Sequence, residues 1–190
     1  MRIKKYDRLH FFHAKCRKFG KISVLKKSKI YASAEPLAAL SIAEEAAAEY
    51  QTLRSILGGT KSHLRVITSE NDLIHLSREG IKKSTLKSLV GYLGITMEKM
   101  STLLHMSHRN LQRKDEEELL DTLKSEKVLE LAAFVQRGID VIGNEEAFKQ
   151  WLHSPVLALG NKKPIDYLDT SFGMQMALKV LGRLEQGVYS

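Results

Sequence analysis

Apolar positions recur along this chain at spacings of three and four residues, and glycines or prolines interrupt them at short intervals. That period marks amphipathic helices, each with one face turned to a core. The first run covers 35–57, with Ala38, Ala39, Ile42, Ala43, Ala46, Ala47, Tyr50, Leu53 and Leu57 on one side and Gly58-Gly59 at its end. Its stripe suits packing within the chain or contact between two copies. Leu64-Arg65-Val66-Ile67 leans towards an extended piece. Ser69, with Asp72 three residues on, then predicts a capped helix carrying Leu73, Ile74 and Leu76 and closed by Gly80.

From Ile81 the elements shorten. A helix is expected over Lys82–Leu93, with Leu86, Leu89, Val90 and Leu93 inward and Gly94 ending it. Thr96 caps the next, Met97–His105, with Met97, Met100, Leu103 and Leu104 inward. Ser107 caps a further short helix whose Leu111 points back to the core. Two short helices joined by a tight turn make a helix-turn-helix. A long helix follows, Ser125–Ile142, its stripe made of Val128, Leu131, Ala132, Val135, Ile139 and Ile142.

The last forty residues are divided by Pro155 and Pro164, two of the three prolines. Asn144 caps a helix with Glu145 and Glu146 in its first turn, as the helix dipole favours, and Phe148, Trp151 and Leu152 share a face. Pro155 stops that helix. Pro164 opens a short helix through Tyr167 and Leu168. Asp169, Thr170 or Ser171 caps a final helix with Met174, Ala177, Leu178, Leu181 and Leu184 as its stripe, and Gly187 closes it. Phe148, Trp151, Leu168, Leu178 and Leu181 are expected in the core, and Gly182 is expected where another helix, of this chain or of a partner, approaches closely. The reading is all-α, in four segments: 1–34, 35–80, 81–124 and 125–190.

Composition adds little to this until charge is located. Hydrophobic residues make up 43% and charged residues 27%, ordinary for a globular chain of 190 residues. No run approaches the roughly 18 apolar residues of a membrane span. The formal charge is +8, yet residues 1–30 carry eleven Lys and Arg against Asp7 alone, which leaves the rest slightly negative. That arm could bind nucleic acid by counterion release, or be a tail or sequence upstream of the natural start. Cys16 is the sole cysteine, so no intramolecular disulfide forms, and a reducing cytoplasm is expected. His10, His13 and Cys16 lie at i, i+3, i+6 but lack a fourth ligand, so no metal is expected.

Candidate chemistry is sparse. His63, His75, His105, His108 and His153 are scattered without a matched acid or nucleophile motif, and neither enzyme activity nor a cofactor is expected. In a helix-turn-helix the second helix enters the major groove by its N-terminal residues. Its base-facing candidates are His108, Arg109, Gln112 and Arg113, with Ser107, Asn110 and Lys114 nearer the backbone. Two features oppose DNA binding. His105 stands where such turns prefer glycine, and Asp115-Glu116-Glu117-Glu118 sets four negative charges beside any phosphate backbone.

The runs W-L-x-x-P-x-x-A-L-G (from Trp151), P-x-D-x-L-D-T (from Pro164) and L-G-R-L-E-x-G-V-Y (from Leu181) resemble the C-terminal toxin-binding domain of Xre/MbcA/ParS-type antitoxins. The resemblance covers roughly residues 80–190. It implies a toxin partner of the RES class, which consumes NAD, and an Xre-like DNA-binding motif at the helix-turn-helix. It further implies neutralisation by covering the toxin's pocket, with Arg183 and the tail Gly187–Ser190 nearest the entrance. Contact candidates are Lys162, Lys163, Gln175, Lys179, Arg183, Glu185, Gln186, Gly187, Val188, Tyr189 and Ser190. A homodimer that represses its own operator is the implied second activity. A helix-turn-helix regulator without a toxin partner is the alternative.

Overall fold

The computed structural model describes residues 50–59 and 67–187, all of them within one compact unit, Ala43–Ser190. The basic arm with His10, His13 and Cys16, most of the 35–57 run, the piece at 64–66 and the tail residues Val188, Tyr189 and Ser190 lie outside the described residues. The helices are α1 Glu70–Glu79, α2 Thr85–Leu93, α3 Met97–Leu103, α4 His108–Arg113, α5 Thr122–Ile142, α6 Glu145–His153 and α7 Ser171–Glu185. Two 3-10 turns, Leu157–Leu159 and Pro164–Tyr167, separate α6 from α7, and residues 50–56 are also helical. The described residues form no strand; only isolated bridges pair Lys82 with Leu119 and Val156 with Lys162. None of their helices is long and apolar enough to cross a membrane.

Side-chain caps fix most of the helix starts. Ser69, Thr96, Ser107, Asn144 and Thr170 each accept a backbone N–H of the first turn. Each such cap contributes about 1 kcal/mol. Thr170, not its neighbours, opens α7 by accepting from Gly173 N at 3.1 Å. Asp121 does the same for α5, taking Lys124 N at 2.9 Å, so that helix begins three residues before the expected Ser125. At α1, Asp72 also accepts the Thr68 amide at 2.9 Å, which with the Thr68 and Ser69 hydroxyls holds its carboxyl down at about 2.

Two further boundaries move, each for its own reason. The expected helix from Lys82 starts only at Thr85, because the backbone of 81–84 is bonded elsewhere. Leu120 N donates to Ile81 O at 2.8 Å, Lys83 N to Glu118 O at 3.0 Å and Ser84 N to Glu116 O at 2.9 Å. The buried Ser125 hydroxyl locks this pairing, accepting Ile81 N and donating to Leu120 O. The other shift is at α3, which ends at Leu103 rather than His105, since His105 turns into the left-handed region at φ 51°.

The core gathers around α5, which packs on α1, α2, α6 and α7. Val128, Leu131, Ala132 and Val135 are buried as expected, whereas Ile139 and Ile142 are only partly covered. Phe134 is buried as well, edge-on to Phe148 at 5.9 Å between ring centres, with the half-buried Trp151 stacked on Phe148 at 6.1 Å. Helices α5 and α6 meet at Gly138, where an added Cβ would lie 2.1 Å from the Phe148 ring. Within the chain the close meeting of two helices is therefore at Gly138; Gly182 has open space around it, so no described helix of this chain approaches it. In α7 the buried residues are Gly173, Met174, Ala177, Val180 and Leu181. Leu178, expected inside, is 37% exposed. At 3.6 residues per turn it falls roughly a quarter-turn off the line of Ala177 and Leu181, and Val180 covers the other flank.

Candidate functional site

The sequence placed two surfaces under suspicion, and the structure assembles each of them. The first is α4 with its flanks. Ser107 starts the helix by accepting Asn110 N at 3.1 Å, and Leu111 anchors it in the core. Arg109, Asn110, Gln112 and Arg113 are exposed, so these side chains can meet a partner. Three others named with them are committed or turned away. The Ser107 hydroxyl is spent on its cap. His108 is half-buried, with Nδ1 sealed from solvent and unpartnered. Lys114 pairs with Glu118, and its carbonyl accepts from Lys83 Nζ.

The acidic run beside α4 is less repulsive than its composition implied. Glu116 lies 3.0 Å from Lys87 and 3.4 Å from Lys83, Glu117 pairs with Lys82, and Glu118 with Lys114. The Lys87 ammonium holds the Glu116 carboxyl below its ordinary range, and Lys114 does the same for Glu118. Asp121 is likewise held down by Lys124. These lysines meet the acids because the run is laid along 81–84. A groove of about 550 Å³ runs past Asn110, Arg113, Lys114 and Lys124.

His105 does stand in the left-handed conformation that the helix-turn-helix turn requires. Such a φ costs a non-glycine residue about 1 kcal/mol or more. Its ring compensates in part: Nε2 lies 2.8 Å from the carbonyl of Asp169, just before α7. Lys99 of α3 reaches Asp166 at 3.3 Å, and His153 Nε2 donates to Leu93 O at 2.8 Å. The helix-turn-helix and the C-terminal elements are thus joined by side-chain contacts at several points.

The second surface is the outer side of α7 with the loop before it. Lys162, Lys163, Gln175, Lys179, Arg183, Gln186 and Gly187 are exposed there, and Glu185 is exposed on the side towards α5. Glu185 is partly committed, since it pairs with Arg137 of α5 and fastens the end of α7. Sequence reasoning missed the apolar members. Phe172 is 83% exposed and Met176 43%, and Leu157 of the first 3-10 turn is also exposed. Phe172, Met176, Lys179 and Arg183 stand at i, i+4, i+7 and i+11, which is one line along a helix. The available signal was a second apolar pair in α7 out of phase with the core stripe. Among the described residues no cluster of three or more His, Cys, Asp or Glu is placed to hold a metal ion.

Residues 72–133 match the family described as the antitoxin Xre-like helix-turn-helix domain, and 137–187 match the antitoxin Xre/MbcA/ParS C-terminal toxin-binding domain. Together they take in more than half the chain. The "Prs ADP-ribosylating antitoxin" of Sphingobium sp. (strain YBL2) is 29% identical over 129 residues, 63% of this chain and 81% of that protein. "Antitoxin Xre" of Yersinia enterocolitica (serotype O:8 / biotype 1B, strain NCTC 13174 / 8081) is 28% identical over 68 residues, 35% of this chain and 46% of its own length. A chain in the crystal structure of the M. tuberculosis MbcT-MbcA toxin-antitoxin complex is 21% identical, covering 57% of this chain and 96% of that one. The TM-score of that pair is 0.42, a loose likeness only.

Proposed function

This chain belongs to the Xre/MbcA/ParS antitoxins, and on that premise we propose that it neutralises a RES-type, NAD-consuming toxin by binding it and covering its active-site entrance. The observation that carries this reading is the outer line of α7. Scattered exposed apolar residues are common on any surface. Here Phe172 and Met176 sit side by side, with Lys179 and Arg183 continuing the line inside the segment matched to toxin-binding domains. An apolar centre with a polar, charged rim is the anatomy of a docking patch. Lys162, Lys163, Gln175, Gln186 and Gly187 extend its rim, and Val188, Tyr189 and Ser190 follow Gly187 in the chain. The NAD-consuming character of the partner rests on the sequence resemblance and on the term ADP-ribosylating in one relative's name.

The mechanism is steric. The chain carries out no reaction; it denies substrate its path by occupying the mouth of another protein's cavity, in the cytoplasm where that toxin is made. Co-expression with the toxin in growing cells tests this. The intact chain should restore growth, while a Phe172→Ala/Met176→Ala variant and a chain ending at Gln186, both folded by circular dichroism, should not. Full rescue by both variants would place the contact elsewhere.

A second activity is favoured by a separate observation, the four exposed polar side chains on α4. As a homodimer the chain would set two such helices about 34 Å apart, one helical turn of DNA, and repress its own operator. Arg109 and Arg113 suit guanine edges and Gln112 suits adenine, with Asn110 nearer the backbone. A regulator without a toxin partner would use α4 in the same way but would leave the apolar line of α7 without a purpose.

A further inference from the structure

We propose that His105 is a positioning residue that couples the reading helix α4 to the toxin-facing helix α7, so that a change at either helix is felt at the other. The functional meaning of the link rests on the proposed toxin and operator contacts; the link itself does not. It stands first on the backbone. His105 occupies the turn between α3 and α4 at φ 51°, where glycine would sit without strain. A strained residue that persists points to something its side chain supplies.

What the ring supplies is a bond across the molecule. His105 Nε2 lies 2.8 Å from the Asp169 carbonyl, 64 residues away in the chain. Asp169 directly precedes Thr170, the cap of α7, and His105 stands two residues before Ser107, the cap of α4. One hydrogen bond therefore joins the residues that lead into the two caps. The Lys99–Asp166 ion pair runs alongside it, from α3 to the 3-10 turn that leads into α7. Helix α4 has only six residues and a single buried anchor, Leu111, so its aim depends on the turn that launches it. A partner that stiffens the first turn of α7 fixes the Asp169 carbonyl, and through the His105 ring it fixes that turn. Linkage requires the reverse as well: a ligand on α4 must shift affinity at α7 by the same factor.

The link can be tested in the free, full-length chain by a double-mutant cycle of His105→Gly and Thr170→Ala, read by amide hydrogen exchange. Glycine accepts the left-handed backbone, so His105→Gly removes the ring and keeps the turn. Thr170→Ala loosens the start of α7 alone. With His105 present, Thr170→Ala should speed exchange at residues 107–113 by about 5-fold or more, the lower end of usual coupling. With glycine at 105 the same change should leave 107–113 unaltered. Equal effects in both backgrounds, or no effect at 107–113 in either, overturn the proposal. A histidine that merely filled space would not make the two effects depend on each other. In the complex, toxin should change operator affinity of the intact chain by about 5-fold or more, and this ratio should collapse towards unity in His105→Gly. An unchanged ratio would count against the link, whereas failure of toxin to bind at all would count against the partner reading and leave the exchange cycle to decide.

Discussion

Around α4 the surface is polar and three of the four acids beside it are paired with lysines, whereas the outer side of α7 leaves a phenylalanine 83% exposed next to a methionine. The two faces carry different amounts of information. Exposed polar groups are content in water whether or not a partner exists. An exposed phenylalanine forgoes about 2 kcal/mol that burial would bring, so the α7 face is the one that asks to be covered. Contact with DNA at α4 would be steered by charge and sensitive to salt; contact at α7 would draw on apolar burial and vary little with salt.

The severest way to break the comparison is to remove what both faces share. Phe148→Ala empties the site against Gly138 and Phe134 and should cost about 3–5 kcal/mol in urea unfolding, taking both activities with it. A variant that lost only one would show that the faces stand on separate cores. Phe172→Ala should separate them cleanly. Toxin affinity should fall by about 2 kcal/mol or more by calorimetry, while stability stays within about 0.5 kcal/mol and operator binding by the toxin-free chain, whose α7 start is not loosened, is unchanged. Arg113→Ala is its mirror image. It should weaken operator binding by about 1–3 kcal/mol in a salt-controlled gel shift and leave toxin binding alone. Glu116→Gln should lower stability by no more than about 1 kcal/mol, because Glu116 is itself well exposed, its pair with Lys87 is exposed on both sides, and the buried Lys83 keeps the Lys114 carbonyl as a partner.

Acid should also tell the two regions apart. Asp72, Glu116, Glu118 and Asp121 have carboxyls held below their ordinary range, chiefly by the Thr68 amide and by Lys87, Lys114 and Lys124 respectively. Each binds its proton less readily folded than unfolded. The stability they give is therefore complete above the ordinary values of 3.8 to 4.5 and is lost as pH falls through each lowered folded value, which for Asp72 is about 2. All four lie between residues 72 and 121. Hydrogen exchange on lowering pH should loosen the helix-turn-helix elements before α7, and the reverse order would contradict this.

How much the sequence reveals depends on the range of the interactions involved. Caps at Ser69, Thr96, Ser107 and Asn144, and the strained turn at His105, are local and legible. The early start of α5 is hidden because Asp121 looks like part of an acidic run. That run lies along 81–84 through Leu120 N to Ile81 O, a pairing across 39 residues that no local pattern announces. The α7 face is half legible. Gln175, Lys179 and Arg183 read as outward, but the spacing of Leu178 puts it with the core, and with the stripe so phased Phe172 and Met176 escape notice. In the same way the strain at His105 is visible while its partner Asp169 is not.

Hydroxyl-radical footprinting of the full chain, alone and with its toxin, tests the central claim most directly. Phe172 and Met176 should label several-fold more slowly in the complex, while Leu123, 77% exposed at the start of α5, should label at the same rate in both. Unchanged labelling of Phe172 and Met176 in a complex that forms and inhibits would show that the toxin docks elsewhere.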